Sequence, residues 1–260
     1  MALDAVRSEI LRDPTTVALF FDFDGTLSPI QDDPESVVPL PGVVESIETL
    51  ADHIAVVAIV SGRPVSFLEP FFADERVQLS GLYGIEHRVG GTVEVDPAAQ
   101  RWLPTVAGAI TGAGKEFGVD VVEDKTYSLT VHYRGKDTEF SKRVTGWAEA
   151  VSLATGLESR DAKQSVELHP PNLGTKGDAI DRMLGSIRAA AYFGDDVGDL
   201  PAFERLAKRA ADGSLTEAAT VLVAGAETPD SIRAIATDIV DGPEFVRDQL
   251  VDLASALTSE

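Results

Sequence analysis

The sequence predicts an α/β protein: a parallel sheet covered by helices, interrupted by an inserted α+β cap with an antiparallel sheet. Two observations carry this. At both ends of the chain, short apolar runs alternate with helical periodicity, the βαβα rhythm of a parallel sheet. Between about residues 96 and 171 the pattern becomes helix–strand–strand, twice, with polar residues interleaved along the strands. That is the mark of a sheet with one face on a core and the other free. The expected organisation is one α/β core, residues 1–95 and 172–260, split by a cap at 96–171.

The elements follow in order. Leu3, Val6, Ile10 and Leu11 suit a short amphipathic helix within Met1 to Asp13, a segment without a signal-peptide profile. Val17 to Phe23 is a short apolar run closed by a glycine turn, a buried strand. Pro41-Gly42 precedes a helix with Val43, Ile47 and Leu50 on one side. Ile54 to Val60 is a second buried strand, ending at Ser61-Gly62-Arg63-Pro64, with a helix through Leu68 after it. Val77 to Leu82 is a third strand. In the insertion, Trp102 to Phe117 and Thr138 to Leu153 read as helices, the second with Phe140, Val144, Trp147 and Val151 at helical spacing. Val119 to Val122, Tyr127 to Tyr133, Leu157 to Arg160 and Ser165 to His169 read as strands. The α/β rhythm then returns: a helix at Lys176 to Leu184, a strand at Ala189 to Phe193, a helix at Pro201 to Ala211, short strands at Thr220 to Val223 and Ile239 to Val240, and a closing helix at Phe245 to Leu257.

Composition narrows the function classes. A chain of 260 residues, 44% hydrophobic and 25% charged, can build a full core. Its net charge of −21 argues against a nucleic-acid partner, since binding phosphate backbones needs a basic face. No cysteine is present, which excludes disulfides and thiolate metal sites and points to the cytoplasm. No apolar stretch approaches the length of a membrane span. A monomer is expected.

The chemistry centres on Phe20-Phe21-Asp22-Phe23-Asp24-Gly25-Thr26-Leu27. Residues i and i+2 of a strand share a face, so Asp22 and Asp24 are expected side by side where the strand ends, with Phe23 turned into the core. Adjacent carboxylates repel. A divalent cation would relieve that and leave one carboxylate to act as a nucleophile. Ligands of open parallel sheets gather at the carboxyl ends of strands. Three further sets fall at such ends or at helix starts: Ser61, Lys176, and Gly194-Asp195-Asp196-Val197-Gly198-Asp199. A nucleophilic carboxylate, a hydroxyl, an ammonium and more carboxylates suit phosphoryl transfer through an aspartyl-phosphate. A lone Asp-x-Asp is a common turn or helix cap, and Asp195 to Asp199 alone could be a solvated or calcium loop. The conjunction, in this order, separates the chain from both.

These four motifs resemble those of the haloacid dehalogenase (HAD) superfamily of phosphatases, which implies a Rossmann-like HAD core. By that resemblance Asp22 is the nucleophile, and Asp24 is the general acid and base, its backbone carbonyl also binding Mg²⁺. Ser61 hydrogen-bonds the phosphoryl group and Lys176 neutralises it. Asp195 completes the metal set with Asp22 and Asp24, supported by Asp196 and Asp199. Gly25, Thr26, Gly62 and Arg63 join the substrate-binding set, with an anchor for the loop after Ser61 as the other reading of Arg63. Gly81-Leu82-Tyr83-Gly84-Ile85-Glu86-His87, the segment Glu123 to Arg134, and Lys163, Glu167-Leu168-His169-Pro170 and Thr175-Lys176-Gly177 resemble trehalose-6-phosphate phosphatases, over roughly Ala18 to Pro243. The resemblance implies that Glu86, Glu123, Lys125, Arg134, Lys163 and Glu167 contact the sugar or help close the cap. His132, His169, Trp102 and Trp147 read as packing or hydrogen-bonding residues. One departure stands out: family members often read Gly-Asp-Asp-x-Thr-Asp-Glu where this chain has Gly198 and Leu200. Other capped sugar phosphatases, acting on sucrose phosphate or glycosylglycerol phosphates, a phosphotransferase, and a non-catalytic sugar-phosphate-binding protein remain alternatives.

Overall fold

The computed structural model describes residues 1–31, 33–162, 164–225, 228 and 230–259. The chain divides into two compact units, Met1–Glu94 with Gly174–Glu260, and Val95–Leu173. Its first stretch holds α1 (Ala2–Arg12), β1 (Val17–Phe21), α2 (Val43–Ala51), β2 (Val56–Val60), α3 (Val65–Leu68), β3 (Val77–Gly81), β4 (Glu86–Val89) and β5 (Thr92–Val95). The middle holds α4 (Pro97–Gln100), α5 (Leu103–Phe117), β6 (Val122–Asp124), β7 (Leu129–His132), α6 (Thr138–Thr155), β8 (Glu158–Ala162) and β9 (Ser165–His169). The last holds α7 (Lys176–Leu184), β10 (Ala189–Gly194), α8 (Leu200–Ala211), β11 (Glu217–Ala224), α9 (Asp230–Arg233), β12 (Asp238–Asp241) and α10 (Gly242–Thr258).

The first unit is built on an eight-stranded sheet in the order β12-β11-β10-β1-β2-β3-β4-β5. β1 runs parallel to β10 on one side and β2 on the other, with Phe21 level with Phe193 and Ile59. Every residue of β1 and β2 is buried, because helices cover both faces. Val17, Leu19 and Phe21 pack with α1, α2 and α10, while Ala18 and Phe20 pack with α7 and α8. This two-sided burial is why the strands read as continuous apolar runs rather than alternating ones. The connections leave β1 toward β2 on one side and return to β10 on the other, so the strand order reverses at β1. Crevices at such reversals are the ligand sites of open α/β sheets.

The second unit has a four-stranded antiparallel sheet, β6-β7-β9-β8. Leu129, Val131, Val166 and Leu168 form one face and pack with Val106, Ala109 and Ala113 of α5 and Val144 and Ala148 of α6. Trp102 and Trp147 pack against this cluster, as their spacing suggested, and Trp147 meets Phe117 edge-on at 5.6 Å. Among the described residues no helix is long and apolar enough to cross a membrane.

Two local expectations are corrected and one strand pair is added. The first strand stops at Phe21 rather than Phe23; Asp22 N–H still reaches Phe193 O at 2.8 Å, and the chain then turns, with Phe23 O accepting from Leu27 N–H at 3.0 Å. Phe23 is fully buried in the core, as read. Val119–Val121 is a 3₁₀ turn, not a strand, because α5 ends at Gly118 (φ 96°) and the extended stretch begins only at Val122. The β4–β5 pair was missed, although Gly90 and Gly91, at φ 56° and 78°, are a two-glycine hairpin turn legible in the sequence.

Candidate active site

Asp22 follows β1, Asp195 follows β10, and Lys176 opens α7. Thr175 caps that helix: its hydroxyl accepts from Asp178 N–H at 3.2 Å, and Asp178 Oδ2 accepts from Thr175 N–H at 3.0 Å. The cap aims Lys176 inward, where Nζ lies 2.8 Å from Asp22 Oδ1 and 2.7 Å from Asp199 Oδ1. Tyr192 of β10 donates its hydroxyl to the same Asp199 oxygen at 2.7 Å. The other Asp199 oxygen accepts from Asp195 N–H at 2.9 Å and Asp196 N–H at 3.1 Å. Burial drives the Asp22 carboxyl well above the usual carboxylate range; Lys176 opposes this, and the carboxylates of Asp199, Asp195 and Asp196 add to it. Burial alone would lower Lys176, but Asp199 and Asp22 outweigh it and raise its pKa well above the ordinary lysine value.

Oxygens of Asp22, Asp195 and Asp199 lie within 4.8 Å of one another. The donor set fits a hard divalent cation, which takes oxygen ligands. Asp199 already receives four hydrogen bonds, so it braces Lys176 and the 195–199 loop, and Asp22 and Asp195 are the two of the three that could hold such an ion. Asp196 caps that loop by accepting from Gly198 N–H at 2.7 Å. Gly25 is required where Asp195 packs: its φ is +80°, and a Cβ there would sit 2.1 Å from Asp195 Oδ2. Thr26 beside it is fully buried, and its hydroxyl has no partner among the described residues.

Asp24 does not share a strand face with Asp22. Arg63 holds it in a two-pronged pair, Nε to Oδ2 at 2.9 Å and Nη2 to Oδ1 at 2.8 Å. The two carboxylates thus have separate cations, Lys176 and Arg63. Arg63 also stacks on Phe67, 4.4 Å from the ring centroid, which makes it an anchor of its loop. Ser61 is buried and accepts from Arg63 N–H at 3.1 Å, leaving its own O–H to donate. Half-buried Glu86 gives one oxygen to Val65 N–H at 2.7 Å, fixing the start of α3; burial raises its carboxyl above the usual value.

The sequence reading assigned nothing to Tyr83. Leu82 and Tyr83 both have positive φ, 50° and 59°, an uncommon backbone for side chains of this size. The tyrosine ring lies where a Cβ on Gly62 would be 2.8 Å from it and a Cβ on Gly198 3.4 Å. Lys176 Nζ is 5.8 Å from its centroid. Tyr83 therefore joins the Ser61 loop to the 195–199 loop. A Cβ on Gly198 would make ordinary contact with Tyr83 but sit 3.0 Å from Asp196 Oδ1, so a larger residue there would require the Asp196 carboxylate to shift. Tyr192 was likewise unassigned, although a phenol inside a buried apolar strand needs a partner.

In the second unit, Glu167 is buried, accepts from the Ser128 hydroxyl at 2.8 Å and lies 3.5 Å from Lys125 Nζ. Glu123 Oε2 and His132 Nε2 are 2.9 Å apart. His169, its pKa lowered by burial and then by Arg160, is neutral near pH 7 and donates through Nδ1 to Pro170 O at 3.0 Å. Arg134 stands half-buried in the turn after β7. Lys163 lies outside the described residues.

A family model described as trehalose-phosphatase matches residues 20–233. The chain belongs to the trehalose-phosphatase family. A protein of Mycobacterium leprae (strain TN) named trehalose-phosphate phosphatase is 31% identical over 225 residues, covering 77% of this chain and 51% of the relative. One from Mycobacterium ulcerans (strain Agy99) with the same name is 30% identical over 198 residues, covering 72% of this chain and 50% of the relative. The chain spans about half the length of these curated relatives. The solved C-terminal domain of the C. albicans trehalose-6-phosphate phosphatase superposes with a TM-score of 0.80 at 22% identity, covering 97% of this chain and 96% of that one. That likeness establishes the fold, an α/β core with an inserted α+β unit.

Proposed function

We propose that the chain is a Mg²⁺-dependent phosphatase that hydrolyses trehalose 6-phosphate to trehalose and phosphate. The observation that carries this reading is the single ammonium of Lys176 shared between Asp22 and Asp199, with Asp195 beside them. In this reading Asp22 attacks phosphorus, the bond to the sugar oxygen breaks, and Asp24 gives that oxygen a proton. Asp24 then takes a proton from the water that attacks the aspartyl-phosphate, which releases phosphate and regenerates Asp22. Arg63 occupies both Asp24 oxygens, so in this reading the pair parts as Asp24 turns to the leaving oxygen. Asp22, Asp195 and the Asp24 carbonyl would hold Mg²⁺, which would offset charge on the phosphoryl oxygens. Ser61, Lys176 and the small-residue turns at Gly25-Thr26 and Gly62 hold the phosphoryl group. Glu123, Lys125, Arg134 and Glu167 supply polar groups of the kind that discriminating a disaccharide requires, and Lys163 is assigned to the same set from the sequence alone.

Phosphate release from trehalose 6-phosphate and glucose 6-phosphate, with and without Mg²⁺, tests the reading. Turnover should require Mg²⁺ and favour the disaccharide. Asp22→Asn should cost on the order of 10⁴-fold or more in kcat, while the variant melts no lower than the wild type. Near-normal release by that variant contradicts the mechanism. Faster release from sucrose phosphate or a glycosylglycerol phosphate moves the substrate assignment and leaves the mechanism standing.

A further inference from the structure

Residues alternate in direction along β7. Leu129 and Val131 join the apolar core of the inserted unit, so Thr130 between them faces the other side of the sheet. The strand register places Thr130 in the middle of a transverse row. It is level with Glu123 of β6 and Glu167 of β9, and Arg160 of β8 is level with Glu167. Thr130 is only 4% exposed, yet its hydroxyl has no hydrogen-bond partner among the described residues. The carboxylates on either side have turned to other groups: Glu123 to His132 at 2.9 Å, and Glu167 to Ser128 at 2.8 Å.

A buried hydroxyl without a partner destabilises a fold. Valine has nearly the same shape and suits a strand as well, so a fold with no use for this oxygen has a better residue available. The row itself says what would satisfy it. Flanking carboxylates repel a phosphate. A cation would meet Lys125 and Arg160, whose charges both act on Glu167. A neutral group that both donates and accepts suits acceptors and donors set in one row, and an alcohol hydroxyl is such a group.

We propose that Thr130 binds a hydroxyl of the sugar and helps decide which sugar phosphate is accepted. This rests on the sugar-phosphatase reading above and adds to it a residue that the motifs did not single out.

The test compares Thr130→Val and Thr130→Ser with the wild type on trehalose 6-phosphate and on p-nitrophenyl phosphate, a phosphate ester with no sugar hydroxyls. Trehalose binding is followed by calorimetry and stability by thermal melting. Thr130→Val should lower kcat/KM for trehalose 6-phosphate about tenfold and weaken trehalose binding by a similar factor. It should leave p-nitrophenyl phosphate turnover within about twofold and raise the melting temperature, since the unpartnered hydroxyl is gone. Thr130→Ser should retain most of the disaccharide activity. Unchanged kcat/KM and trehalose affinity in Thr130→Val would overturn the proposal and leave the hydroxyl to a bound water. Equal losses on both substrates would overturn it in favour of a structural role. A wild type active on p-nitrophenyl phosphate but on no sugar phosphate would overturn the sugar-phosphatase reading and this assignment with it.

Discussion

Glu167 shows how neighbours set the ionisation of one side chain. Its complete burial favours the protonated form. Lys125, then Arg160 and His169, with the Ser128 hydroxyl, outweigh burial and hold the carboxyl below its usual value of 4.5. A group whose folded pKa is depressed stabilises the fold fully above its unfolded pKa and stops doing so as pH falls through the folded value. Glu167→Gln removes that contribution. The melting-temperature gap between wild type and Glu167→Gln should therefore be constant from pH 7 to about 4.5 and shrink below it. A gap that holds steady to pH 3.5, or widens, would show that Lys125 and Arg160 do not govern this carboxyl. Buried charges of this kind are expensive when one partner is removed, so the loss at neutral pH should be on the order of 2–4 kcal/mol.

At the scale of elements, α7 is the one on which the site depends most directly, because its first residue is Lys176. Its capping box was half-legible: Thr175 and Asp178 have the right spacing, and a helix was read from Lys176 onward. Removing an N-cap threonine costs about 1 kcal/mol. Thr175→Ala should therefore lower the melting temperature by about 2–4 °C, and it should lower kcat more than a surface cap would, since it loosens the turn that aims Lys176. Thr175→Ser should restore both. A variant that loses stability but keeps kcat would detach the cap from the site. The strands of the sheet were readable because burial on both faces leaves a continuous apolar signature, as in Ala18–Phe21 and Val56–Val60. The carboxyl ends were readable because their chemistry is written in side chains: Asp22, Ser61, Lys176 and Asp195. What was not readable is how those ends are joined. The Arg63–Asp24 pair spans 39 positions and Tyr83 reaches both Gly62 and Gly198; neither follows from local periodicity, since each depends on how loops from different strands meet. Thr130 was hidden for another reason. A threonine on a strand is unremarkable until the structure shows that its hydroxyl has no partner.

For the molecule as a whole, the excess of negative charge gives Mg²⁺ two ways to stabilise the fold. A chain carrying −21 repels itself, and any salt relieves part of that by screening. Stabilisation by Mg²⁺ is therefore evidence for a site only beyond what equal ionic strength achieves. The clustered oxygens of Asp22 and Asp195, with Asp199 fully engaged by Lys176, Tyr192 and two backbone N–H groups, place that excess in one spot. An ion bound there only in the folded state adds about 2.7 kcal/mol at a hundred times its dissociation constant. Melting curves in MgCl₂ and in NaCl of matched ionic strength should separate the two effects, with a further rise of several degrees in Mg²⁺. Asp195→Asn should abolish that increment. The same variant should raise the melting temperature of the metal-free protein, because it removes one of the carboxylates crowding Asp22. Equal shifts in the two salts, or an Mg²⁺ increment that survives Asp195→Asn, would mean that the stabilisation is screening of the acidic surface and that the ion is not held where Asp22 and Asp195 converge.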